Sequence, residues 1–377
     1  MPADTFRSPV DPDGLMEFSV VFTDRSLNHM SMAFREVMTD LSAGLKEVYK
    51  ADAAVIVPGG GTFAMEAVAR QFGGGANAVI VRNGWFSYRW TQIFDASGIA
   101  AATTVCLARR TGNGAQSPFA PAPLEEVAAR IRAEKPDVVF APHVETSAGL
   151  ILPDAYVAGL AESAHEVGAL MVLDCIASGC VWVDMKATGV DVLISAPQKG
   201  WSSTPCAGLV MLSDRAVKRM EATQSSSFAI DLRKWHDIMQ AYENGGHAYH
   251  ATMPTDGLRQ FRDTMAESRE FGFDRLEEAQ WELGGMVRAE LAARGIRSVA
   301  ADGYAAPGVV VSYTDRGEVQ SGAAFAAEGA QIAAGVPLQV EEGPDFRTFR
   351  IGLFGLDKLK DPGATMARLK PVLDAVI

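Results

Sequence analysis

Two patterns of apolar residues alternate along the first two-thirds of the chain. In one, short runs are apolar at nearly every position: AAVIV (53–57), NAVIV (77–81), DVVFA (137–141), ALMVLD (169–174), DVLIS (191–195) and GLVML (208–212). Such runs suit strands buried on both faces of a sheet, and helices between consecutive strands make that sheet parallel. In the other, apolar residues recur at helical spacing, as at Phe34, Val37, Met38, Leu41, Leu45 and Val48 within Ser31 to Tyr49. TFAMEAVARQF (62–72) and Asp154 to Val167 read the same way. The alternation predicts an α/β fold whose large domain is a mostly parallel, doubly wound sheet.

From Pro254 the texture changes. Residues 264–294 predict one long amphipathic helix ending at Gly295. Short strands are expected at GVVVSY (308–313), LQVEE (338–342) and FRIGLF (349–354), with helices between them. That is a smaller α+β domain. The division is placed at 258/259, with an N-terminal segment and large domain over 1–258 and the small domain over 259–377.

Composition narrows the function. Hydrophobic residues make up 48% and charged residues 21% of the 377, as in a folded globular protein. A net charge of −12 argues against nucleic acid or an anionic membrane as partner, yet leaves room for a local basic pocket that takes a small anion. Cys106, Cys175, Cys180 and Cys206 are too few for a disulfide scaffold and point to a reducing compartment. The polar, proline-bearing start MPADTFRSPVDPDG has no apolar core, and no apolar run reaches the roughly 18 residues of a membrane span. A cytoplasmic protein is the expectation. His247 and His250 have no accompanying ligand in sequence, so no metal site is expected.

The candidate chemistry lies at the ends of predicted strands, where open α/β sheets bind ligands. PGGGTFAMEA (58–67) joins a strand to a helix. Gly60 and Gly61 let backbone N–H groups approach a ligand, Thr62 adds a hydroxyl, and the helix terminus favours a phosphate. A dinucleotide site is one alternative, with Arg82 after the next strand facing an NADP phosphate where an acid would otherwise stand. Asp174 closes the strand LMVLD, and Lys199 follows the next strand in SAPQKG. A phosphate loop, a strand-end acid and a strand-end lysine together suit pyridoxal 5′-phosphate. The lysine forms a Schiff base, the acid keeps the pyridine nitrogen protonated, and burial lowers the lysine pKa.

The ordered series GGGTFAMEA, NGWFSYR, HVETSAGLILP, VLDCIASG, SAPQKG, YHATMP and FRIGLFG resembles the class V aminotransferases of fold type I, in particular the alanine–glyoxylate and serine–pyruvate branch. The resemblance implies the pyridoxal-phosphate transferase fold and an aminotransferase working by a ping-pong mechanism. Its substrates would be a small amino acid (alanine or serine) and a 2-oxo acid such as glyoxylate or pyruvate. It makes Lys199 the Schiff-base lysine and Asp174 the partner of the ring nitrogen, with Phe86 stacked on one ring face and Ile176 on the other. Thr146 matches a hydroxyl near the phenolic oxygen, and Gly61, Thr62 and Gln198 match the phosphate environment. Tyr249 and Thr252 match residues that reach the phosphate from a second subunit, so a homodimer is implied. Arg350 matches the arginine that grips the substrate carboxylate; Arg25 and His29 are further candidates to face the site. The chain departs from the family at its N-terminal pocket-lining stretch, where FSVVFTDRSLNHMS stands, and at Pro197. The alternatives are a lyase on the same fold and an NADP-dependent dehydrogenase. A desulfurase would carry a cysteine near QSGAAFAAEGAQ (320–331), which has none.

Overall fold

A computed structural model describes residues 8–377; residues 1–7, the opening of the polar N-terminal stretch, lie outside it. The large sheet has seven strands: β1 (Ala53–Pro58), β2 (Asn77–Arg82), β3 (Ala102–Leu107), β4 (Val138–Pro142), β5 (Leu170–Asp174), β6 (Val192–Ser195) and β7 (Ala207–Leu212). Their order is β1-β7-β6-β5-β4-β2-β3. Strands β6, β5, β4, β2 and β3 pair in parallel, while β7 runs antiparallel to both its neighbours. Every residue of β4, β5, β6 and β7 is buried, so both faces of the sheet centre are covered. The six apolar runs thus became six strands, within a residue or so of their expected limits.

Pairing places the chemistry. Asp174, the last residue of β5, lies opposite Pro142 of β4 and Ile194 of β6. The loops leaving β4, β5 and β6 therefore share one rim. Reversal at β7 and again at β1 brings the end of β1, with its glycine loop, to the same rim.

The first long helix spans Met32–Tyr49, and Ser31 caps it by accepting the Phe34 N–H at 3.1 Å. The helix expected over 264–294 is instead two, Thr255–Phe271 and Phe273–Ala293, divided at Gly272 with φ +102°. A residue with a side chain rarely adopts that backbone angle, and the chain changes direction there. Leu258, Phe261 and Met265 of the first helix pack in the core of the large sheet, whereas Leu276, Leu283 and Val287 of the second join a separate core with Val310, Phe349 and Ile351. Phe273, just after Gly272, packs against both cores.

The second core is built on a three-stranded antiparallel sheet in which Thr348–Gly352 lies between Val309–Tyr313 and the short Ala333–Ala334. The strand expected at LQVEE is not one. The Glu342 carboxylate accepts the N–H groups of Leu338, Gln339 and Val340 at 2.7, 3.1 and 2.9 Å, and Gln339 and Glu341 adopt left-handed φ of +65° and +66°. Once a side chain of the same segment has taken its donors, no ladder forms. No helix among the described residues is long and apolar enough to cross a membrane.

Candidate active site

The loops after β5 and β6 are pressed together. A Cβ built on Gly200, the residue after Lys199, would lie 1.9 Å from the carbonyl oxygen of Gly179, itself at φ +67°. Only glycine permits this approach, which holds Lys199 beside the loop that Asp174 begins. The two side chains carry opposite charges and attract one another. Burial pushes the Asp174 carboxyl up to about 7, and repulsion from Glu145 adds to this. The Ile176 N–H, donated to Oδ1 at 2.9 Å, and the charges of Arg89 and Lys199 oppose the shift. Burial lowers the Lys199 pKa, repulsion from Arg350 lowers it further, and Asp174 pulls it back up. The Lys199 Nζ lies 5.3 Å from the centre of the Phe354 ring.

The glycine loop leaves β1 and starts the helix Gly61–Phe72, with Gly60 as its N-cap. A Cβ on Gly61 would lie 2.6 Å from the Ile176 Cδ1, so the loop rests directly on that side chain. The first turn carries no acidic residue. The Thr62 hydroxyl accepts a hydrogen bond of 2.9 Å from Arg89 Nη1. The Oε1 atom of Gln198, next to Lys199, is buried without a hydrogen-bond partner.

Phe86 sits in the first turn of the helix Trp85–Ser97. Its ring carries the guanidinium of Arg89 at 5.3 Å and that of Arg350 at 5.6 Å. Thr146 is buried at the tip of a tight hairpin formed by Val144–Glu145 and Leu150–Ile151. Between these two residues lies Glu145, fully buried, whose carboxylate accepts from the N–H groups of Phe86, Ser87 and Ser147 at 3.2, 2.9 and 3.1 Å. It also accepts the hydroxyls of Ser87 and Ser147, each at 2.7 Å. An anion at a helix N-terminus with five donors is well stabilised. Glu145 fixes the backbone of Phe86 and of the turn containing Thr146.

Arg350 comes from the middle strand of the small sheet, opposite Val311 and Ala333. Its Nε donates to the Ala334 carbonyl at 2.8 Å, which leaves the two terminal nitrogens for a ligand. Burial lowers its pKa and attraction to Glu145 opposes that. Lys199, Asp174, Phe86, Ile176, Gly61 and Arg350 thus converge, linked by the contacts and charge interactions above.

The remaining candidates make contacts with other residues. Tyr249 is half exposed, and its hydroxyl meets that of Thr252 at 3.1 Å. His29 is buried among the rings of Phe22, His247 and Tyr249. Arg25 is exposed. His247 contacts Arg35 at 3.2 Å, and the His250 ring meets the Phe228 carbonyl at 2.8 Å. Arg82 donates to Thr91 and to the Gln339 carbonyl and covers the Tyr88 ring, so it does not stand open for an NADP phosphate.

Four residues of the site carry no clear signal in the sequence. Glu145 and Arg89 fall inside the quoted motifs, but their partners lie 58 or 59 and 27 positions away. Phe354 reads as a strand residue. His143 opens the quoted HVETSAGLILP; burial drives its pKa down to about 4, and it bonds the Ser178 hydroxyl at 2.7 Å.

The residues fit pyridoxal 5′-phosphate. Gly61 is bare where a side chain would clash with Ile176, Gln198 brings an unpaired buried amide oxygen, and an acid and an amine stand on one rim. The fold is that of the pyridoxal-phosphate transferases of fold type I. The class-V aminotransferase family model matches residues 17–336. The chain belongs to that family. It is similar to alanine–glyoxylate aminotransferase from Callithrix jacchus, with 25% identity over 72% of this chain and 64% of that one. It is also similar to a protein of Synechococcus sp. (strain PCC 6716) described as the small subunit of a soluble hydrogenase, with 26% identity over 92% of this chain and 87% of that one. The crystal structure of alanine–glyoxylate aminotransferase from Nostoc sp. superimposes with a TM-score of 0.76 at 22% identity, covering 92% of this chain and 89% of that one.

Proposed function

We propose that this class-V aminotransferase binds pyridoxal 5′-phosphate through Gly60, Gly61, Thr62, Phe86, Thr146, Asp174, Ile176, Gln198 and Lys199. It moves the amino group of a small amino acid, alanine or serine, to a 2-oxo acid such as glyoxylate or pyruvate. Tyr249 and Thr252 complete the site of a second copy in a cytoplasmic homodimer. The observation that carries the reading is the joining of the Asp174 and Lys199 loops at Gly179 and Gly200, beside a glycine loop that rests on Ile176.

When bound, the cofactor supplies an aldehyde that captures amines and a ring that withdraws electrons. The chain's own residues do the rest. Asp174 holds a proton on the ring nitrogen, and the positive charge there would bring its pKa back down from about 7. Phe86 and Ile176 form flat and branched apolar walls that exclude water from the ring faces. Arg350 offers two parallel N–H donors to the α-carboxylate shared by the amino acid and the oxo acid. Lys199, its pKa lowered by burial, keeps a larger fraction of free amine, takes the proton from the substrate Cα and later returns it. Because one carboxylate grip serves both substrates, the first oxo acid would leave before the second binds while the holoenzyme keeps the amino group, which is the ping-pong order.

Replacing Lys199 with Ala removes the proton carrier. Transfer from L-alanine to glyoxylate, followed as pyruvate formed, should fall about a hundredfold to ten-thousandfold. An undiminished rate would refute the assignment. The same assay run with alanine, serine and aspartate against glyoxylate, pyruvate and 2-oxoglutarate identifies the preferred pair.

A further inference from the structure

Among the described residues, the guanidinium of Arg89, a residue of intermediate exposure, pairs with no carboxylate. It donates from Nη1 to the Thr62 hydroxyl at 2.9 Å and lies over the Phe86 ring at 5.3 Å. A guanidinium fork with acids nearby ordinarily closes on one of them. Asp174 feels its charge but forms no ion pair with it, and Glu66 on the adjacent helix is held by Arg70 at 2.7 Å. What Arg89 does reach is the opening turn of the helix Gly61–Phe72. That turn has no acidic side chain and a glycine N-cap, so nothing from the turn itself covers the positive end of the helix. The Thr62 oxygen accepts from Arg89 and keeps its own O–H for another acceptor. Helix N–H groups, a hydroxyl and a guanidinium gather at one place, all of them donors.

We propose that Arg89 reads the phosphate of the ligand. Together with Thr62 and the helix N-terminus it binds a phosphate dianion, and this makes the site select pyridoxal 5′-phosphate over unphosphorylated pyridoxal. The inference rests on the cofactor reading given above. The competing role for Arg89 is to support the Phe86 ring, which would affect both ligands alike.

The test titrates the full chain, freed of cofactor, with pyridoxal 5′-phosphate and with pyridoxal, following bound ligand by absorbance. Wild type, Arg89→Gln and Arg89→Lys are compared. Arg89→Gln should weaken the phosphorylated ligand about tenfold to hundredfold, the range for a lost charge-assisted hydrogen bond, and change pyridoxal by less than about threefold. Arg89→Lys should fall between, because it restores charge without the fork. Inorganic phosphate should compete with pyridoxal 5′-phosphate for wild type and more weakly for Arg89→Gln. Equal losses for both ligands, or no loss for either, would overturn the proposal. So would a wild-type chain that binds the two ligands equally and ignores phosphate, a result that needs no variant. A wild-type chain that binds neither ligand removes the cofactor reading itself, which sets that failure apart from the others.

Discussion

In the folded chain the Asp174 carboxyl titrates at about 7, against an ordinary value of 3.8. Between these values the folded state keeps a proton that the unfolded state has released, so stability falls as pH rises through the window. Above about 7 the full cost of a buried charge is present, on the order of 4 kcal/mol. Asp174→Asn should therefore stabilise the cofactor-free chain at pH 8 by a few kcal/mol. The gain should shrink toward pH 5 and vanish below pH 4, while transamination is lost. Calorimetric melts of both proteins across that range check it, and an unchanged difference at every pH would show that burial of the charge is not what is felt. This residue's placement was legible, because an acid ending an apolar run stands out. Its energetic state was not, since it depends on Glu145, Arg89 and Lys199 arriving from other segments.

Glycines decide how closely the elements of the site approach. At Gly200 an added methyl would meet backbone, the Gly179 carbonyl at 1.9 Å, and backbone cannot turn away. At Gly61 it would meet the end of the Ile176 side chain at 2.6 Å, which can rotate. Gly200→Ala should thus cost at least about 3 kcal/mol in urea unfolding, and Gly61→Ala about 1–2 kcal/mol. The order of the two, more than either value, tests the packing. Glu145→Ala strips the acceptor from three buried N–H groups and two hydroxyls. It should cost about 3 kcal/mol or more, with Glu145→Gln recovering part of that, measured by the same unfolding curves. Strand positions were readable at this scale because burial on both faces leaves an unbroken apolar run. LQVEE misled because its alternation suits a strand, while the decisive event is Glu342 folding back on its own N–H groups.

Over the whole molecule, apolar side chains stand exposed near the N-terminus, with Leu15 at 93%, Phe18 at 84% and Val20 fully open, and Phe228 is 79% exposed. Large apolar side chains left this open suit an interaction face, which supports the proposed homodimer. The shared-site proposal makes a sharp prediction. Lys199→Ala chains and Tyr249→Ala chains, each impaired alone, should regain activity when co-expressed. A mixed dimer has one site with both residues intact, its lysine from one chain and its tyrosine from the other. If Tyr249 served the site of its own chain, mixing would restore nothing, and the activity of the co-purified pair distinguishes the two cases.

By itself the order of residues determined the alternation of strand and helix, the α/β class, and the strand ends at which an acid, an amine and a glycine loop stand. Those are local properties, written in spacing and in where apolar runs stop. Tertiary structure alone decided that the Asp174 and Lys199 loops touch through Gly179 and Gly200, that Glu145 buttresses Phe86 and the turn of Thr146, and that Arg89 donates to Thr62 and meets no carboxylate among the described residues. It also broke the long helical stretch into two at Gly272. Each of those contacts joins segments far apart in the chain, and the pairing of such segments follows from how the whole sheet and its helices pack, for which no short stretch of sequence carries a signal.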